Sequence, residues 1–153
     1  MIKRMQAPIP KIRKWFQWLL SQQGGPGNQA RGLASGIFFG CFPLFGFQTF
    51  LGIVLASLLR GNRLLAAIGT WISNPFTYLP LYWFNYQIGL GLLKNEENHS
   101  KISQITYQSL WEQGWIISMQ ILLGSTVVGL FTALISGVLF YQLLKKKQNQ
   151  RKN

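Results

Sequence analysis

The sequence predicts an all-α integral membrane protein, with two proline-broken membrane segments, one of them re-entrant, and an N-terminal amphipathic helix. Three observations carry that prediction. Charged residues make up 12% of the 153 and apolar ones 48%, whereas a soluble domain carries roughly 25% charge. Three stretches, 32–59, 64–93 and 113–144, contain no charged residue, and each exceeds the roughly 20 residues a spanning helix needs. Eleven of the fifteen Lys and Arg residues flank this apolar middle, before Gly32 or after Leu144, as in membrane proteins.

These observations also exclude. Disorder needs high charge with low hydrophobicity, the reverse of what is here. The net charge of +12 would suit nucleic acid, but a nucleic-acid surface distributes its cations along a groove, so no nucleic-acid partner is expected. A single cysteine, Cys41, permits neither a disulfide framework nor a cysteine-rich zinc site.

Residues 1–29 open the chain. Ile12, Trp15, Phe16 and Leu19 recur at helical spacing, so they share one face. The run is too short for a secretory signal. The helix either lies in the headgroup layer, with its Lys and Arg near anionic lipid, or packs on the rest of the protein. Residues 22–27 read as a flexible Gly-rich linker.

The membrane domain is expected over 30–144. Segment 32–59 is interrupted at Pro43-Leu44-Phe45-Gly46, because proline lacks a donor and clashes with the preceding turn. Its halves, 32–42 and 47–59, reach only about 16 and 20 Å, short of a hydrocarbon core of roughly 30 Å. Segment 64–93 is interrupted at Asn74-Pro75, with Pro80 five residues beyond Pro75. Residues 94–112 form a polar loop whose second half, with Tyr107, Leu110 and Trp111 at helical spacing, reads as a surface helix. Segment 113–144 has no proline and reads as one helix over 115–144. Residues 145–153 are a basic tail.

Charge then orients the chain. Both basic ends favour the cytoplasmic side, which three full crossings would forbid. The conflict disappears if 32–59 enters and leaves by one face, keeping Arg60 and Arg63 cytoplasmic. Residues 76–93 then cross outward, loop 94–112 lies outside, and the last helix returns. The expected location is the cell membrane, multi-pass.

Three motifs stand in the apolar middle. They are Pro43-x-x-Gly46-x-Gln48, the run Leu59-Arg60-Gly61-Asn62, and Thr70-x-x-x-Asn74-Pro75-x-Thr77-x-x-Pro80. On these residues, and Gly36, Gly40 and Gly69, the region from Ala30 to Leu93 resembles the DUF2062 family of small, mostly bacterial membrane proteins. The resemblance implies a membrane location and assigns no activity. Residues 113–153 lie outside the strongest match and are read from their own pattern alone.

The candidate functional residues follow from the same segments. Gly32, Gly36 and Gly40 lie four apart, as do Ser125, Gly129, Ala133 and Gly137, a spacing that lets helices approach closely in lipid. The two sets pack against each other or against a second copy. At the breaks, Pro43, Gly46, Pro75 and Pro80 shape the backbone. Gln48, Thr49, Asn74 and Thr77 either satisfy the freed backbone groups or also line a solute or headgroup site, as paired broken helices do in transporters. Asn74 before Pro75 suits a helix N-cap with proline at N1. Arg60 either anchors to headgroups or holds an anionic ligand. No titratable Asp, Glu, Lys, Arg or His lies inside the three stretches, which argues against proton coupling through a buried carboxylate. Glu96, Glu97 and His99 sit together in the polar loop and read as solvated. No enzyme activity, metal or cofactor is expected. Partners are the bilayer, anionic headgroups through the basic ends, and a second copy or another membrane protein. The leading function is a transport-like or lipid-handling protein; its rival is a non-transporting scaffold or accessory subunit.

Overall fold

The computed structural model describes residues 24–93 and 107–150, with side chains from 114 onward in the second stretch. The expected N-terminal amphipathic helix, most of loop 94–112 with Glu96, Glu97 and His99, and the last three residues lie outside them. The described residues form α1 (Pro26–Gly40), α2 (Phe47–Leu58), α3 (Arg63–Gly69), a 3-10 turn (Thr70–Ile72), α4 (Tyr78–Leu93) and α5 (Tyr107–Gln150), with no strand.

The boundaries follow from local chemistry. α1 starts inside the expected linker: Gly25 is extended at φ −69°, ψ 165°, and Pro26 takes the first helical position, where its missing N–H costs nothing. α1 stops at Gly40, three residues before Pro43. Gly46, at φ 82°, makes the left-handed turn that begins α2, a conformation a side chain disfavours. α2 ends in a Schellman motif. The Gly61 N–H reaches the Ala56 carbonyl (2.6 Å) and the Arg60 N–H reaches Ser57 (3.1 Å), with Arg60 left-handed at φ 53°. Asn62 then caps α3, its side chain accepting from the N–H groups of Leu64 (2.9 Å) and Leu65 (3.1 Å). The separate surface helix expected within 94–112 is instead the start of α5, since no proline interrupts 107–150. At 44 residues, α5 is about 66 Å long.

Close approaches at glycine define the packing. A Cβ on Gly32 would strike the Asn62 backbone, on Gly36 the Ala66 carbonyl, and on Gly40 Thr70 and Ile72, so α1 and α3 run parallel. Gly52 of α2 sits across from Gly36 and Thr70, and α2 returns antiparallel to both. A Cβ on Gly129 would meet Phe38 and Cys41, and one on Gly137 would meet Ala34, so α5 is antiparallel to α1. Farther up, Gly89 packs on the backbone of Gln120 and Gly124 on that of Asn85. Thus α4 and α1 stack end to end along α5, α4 beside its first half and α1 beside its second. The two glycine sets therefore do not meet. Gly32, Gly36 and Gly40 face α3, whereas the α5 set lies on the Ala30–Ala34–Phe38–Cys41 side of α1. Both are occupied within one chain.

The interior is built mainly from small side chains and includes several polar ones. The largest fully buried side chains are Leu65, Asn85, Thr70, Cys41 and Ser125. The outside carries the large apolar groups, with Phe76 91%, Trp71 78% and Phe47 70% exposed. This inverts the soluble pattern and matches helices that pack through small residues. A modest apolar cluster of Ala30, Leu65, Phe140 and Leu144 closes the end where α1 and α3 begin. Among the described residues one helix is long and apolar enough to cross a membrane, within Gly114–Gln150.

Candidate functional site at the two helix breaks

Both expected breaks exist, and both fall at one level, where α1 ends and α4 begins. The first spans Cys41 to Gly46 and the second Ser73 to Thr77. A broken helix exposes carbonyls at its C-terminal end that need donors. α4 supplies them to α1 from side chains one turn apart. Tyr82 Oη donates to the Phe42 carbonyl (3.2 Å) and Asn85 Nδ2 to the Cys41 carbonyl (2.8 Å). Asn85 Nδ2 also donates to Ser125 Oγ of α5 (2.9 Å), and Cys41 Sγ lies 3.5 Å from Thr132 Oγ1. The ring of Phe45 stands edge-on to Tyr78 and Tyr82, at 5.8 and 5.9 Å.

The two breaks also bond to each other. Ser73 Oγ donates to Gln48 Oε1 (3.1 Å), which leaves the Gln48 amide N–H groups for another partner. One residue along, Thr49 Oγ1 and Thr70 Oγ1 are 3.0 Å apart, and Thr70 donates to the Ala67 carbonyl (2.7 Å). Gln48, Thr49 and Ser73 are half-buried, at the boundary between interior and apolar surface.

Asn74 and Thr77 are used differently. Asn74 Oδ1 accepts from the N–H groups of Phe76 (2.9 Å) and Thr77 (3.2 Å). Thr77 Oγ1 accepts from the Asn74 N–H (3.0 Å) and donates to the Ile72 carbonyl (2.6 Å). This is a reciprocal cap of the capping-box kind, with Pro75 where no N–H is needed. Pro43, Gly46 and Pro75 shape the same region, and Pro80 sits exposed in the first turns of α4. Arg60 does not belong to the group. It lies at the other end of α1, where its carbonyl accepts from Asn28 Nδ2 (2.6 Å) and Arg31 Nη2 (3.3 Å).

Asn85 is the residue that pattern reading missed. It is fully buried, and its Oδ1 has no partner. The available signal was an amide in the middle of an apolar helix, costly unless hydrogen-bonded. Tyr82 gains a role only from its height beside Phe42, which gives its hydroxyl a carbonyl to bond. Ser125 reads as a small packing residue and is also a hydrogen-bond partner.

Chemically, the cluster offers amide and hydroxyl groups. That suits a neutral hydrogen-bonding group, because an unpaired ion in a low-dielectric interior is costly. Among the described residues no group of three His, Cys, Asp or Glu gathers to hold a metal.

The family model for an uncharacterized protein conserved in bacteria (DUF2062) matches residues 10–153. The match runs well beyond Ala30–Leu93 and takes in the last helix and the basic tail. No curated protein and no solved structure matches the chain.

Proposed function

The chain belongs to the DUF2062 family, and from that premise we propose a multi-pass protein of the bacterial cytoplasmic membrane. Its two helix breaks form a polar site at mid-depth for a neutral solute or lipid group, a transport-like or lipid-handling role with no enzymatic step. The observation that carries this is the Ser73–Gln48 bond, which joins two proline-broken segments at one level and leaves donors at a half-buried position. Broken helices that meet near the bilayer midplane are how transporters build sites.

The membrane reading draws support from the large exposed apolar side chains and from lengths. α1 and α2 have 15 and 12 residues, about 22 and 18 Å, which suits a re-entrant hairpin better than two crossings. α3 and α4, in series through the second break, make one crossing, and α5 makes the other.

Thiol accessibility in native membranes tests the site. With Cys41→Ser as background, single cysteines are placed at Gln48, Asn74 and Leu55. We expect a membrane-impermeant reagent to label positions 48 and 74 and to spare 55. Silence at all three in folded protein would leave these groups with backbone capping alone and favour the scaffold reading. In that reading a partner would bind the outer apolar face around Trp71 and Phe76. The glycine faces are already filled, so Gly36→Leu would disrupt the fold and not a partner contact.

A further inference from the structure

A backbone outlier and a charge pattern meet at the end of the molecule opposite the breaks. Arg60 is the one non-glycine residue with positive φ among the described residues. The left-handed region disfavours any residue with a Cβ, and such outliers persist only where their surroundings over-determine them. Here the Schellman end of α2 sets it, and α1 braces it through the two bonds from Asn28 and Arg31 to the Arg60 carbonyl. The Arg60 side chain is exposed.

Around it the fold gathers cations that lie far apart in sequence. Arg31 comes from α1 and Arg63 from the start of α3. Lys145, Lys146 and Lys147 follow Leu144, which packs with Ala30 and Leu65. No acidic side chain is among those described; the three in the chain, Glu96, Glu97 and Glu112, fall between the end of α4 and the early turns of α5. Beside the cations stand exposed leucines: Leu58 75%, Leu143 53%, Leu59 48% and Leu64 45%. A nucleic acid would match the charge and leave the leucines in water, and a neutral lipid would cover the leucines and leave the charge unanswered. A molecule with a phosphate above acyl chains matches both.

We propose that this basic end is a binding surface for an anionic phospholipid. Arg60, left-handed at the end of α2 and braced by α1, is the central phosphate-binding side chain, and the flanking leucines lie along the acyl chains. The proposal rests on the membrane reading and is independent of the mid-depth site.

The test uses the full chain. Membranes are first washed with alkaline carbonate, and protein that washes off would overturn the membrane reading and this proposal together. Protein that stays is solubilised in a neutral detergent, and its unfolding midpoint is followed as phosphatidylglycerol or phosphatidylcholine is added. Phosphatidylglycerol is expected to raise the midpoint and phosphatidylcholine to leave it unchanged. Arg60→Gly suits the left-handed backbone, so without lipid its midpoint should hold or rise. Its apparent affinity for phosphatidylglycerol should fall roughly fivefold, the effect of one cation near a headgroup surface. Arg60→Lys should keep most of the affinity. The triple change Arg60→Gly, Arg63→Gln, Lys145→Gln should lose about a hundredfold. Equal shifts with both lipids, or an unchanged phosphatidylglycerol shift in Arg60→Gly and the triple variant, would overturn the proposal. So would the same shift produced by inorganic phosphate, which would mark a simple anion site.

Discussion

At the scale of single residues, two kinds of position hold the breaks in place: polar caps and glycines without room for a Cβ. Asn85 donates to the Cys41 carbonyl and to Ser125, so Asn85→Ala leaves a buried carbonyl unpaired and should cost about 1–3 kcal/mol. A denaturant titration of the folded protein measures this, with exposed Gln87→Ala as a control expected to move by less than about 0.5 kcal/mol. The glycines give a contrast in sign. Gly36→Ala drives a methyl into the Ala66 carbonyl and should destabilise by about 1–3 kcal/mol. Gly91 has nothing within 4 Å of a Cβ, so Gly91→Ala should be neutral or stabilise by up to about 1 kcal/mol through helix propensity. If both substitutions shift the midpoint equally, the close contact of α1 with α3 is wrong.

At the scale of elements, short helices depend on their ends. α3 has seven residues, too few to persist on propensity alone. It survives because Asn62 caps it, because the Schellman turn at Arg60 and Gly61 delivers the chain, and because Gly36 and Gly69 allow contact with α1. Asn62→Ala should cost about 1 kcal/mol, and Asn62→Asp should recover most of it. The motif Leu59-Arg60-Gly61-Asn62 thus reads as a helix stop, a close approach and a helix start in four residues. The second break is built in the same way, by Asn74 and Thr77.

At the scale of the whole molecule, the question is which ends lie together. The start of α1, the α2–α3 turn and the basic end of α5 share one end, and α4 finishes at the other. On the proposed two-crossing insertion, with the basic end inward, the chain between α4 and α5 is expected outside. A topology reporter fused after Asn98 should therefore behave as external, while one fused after Asn153 should behave as cytoplasmic. A cytoplasmic signal at Asn98 would discard the two-crossing arrangement.

The sequence by itself determined the helical class, the positions of both breaks and the family. Apolar length, proline chemistry and local motif spacing act over a few residues and need no partner to be read. Asn74 as a cap was legible for the same reason: its hydrogen bonds close within three residues. Only the tertiary structure decided that Gly36 serves α3 and not α5, that Arg60 lies away from Gln48, and that Asn85 and Tyr82 of α4 cap the end of α1. Helical spacing shows which residues share a face but not what that face meets. The bonds that join the breaks span 21 to 44 residues, and their partners are set by how α1 and α4 stack along α5.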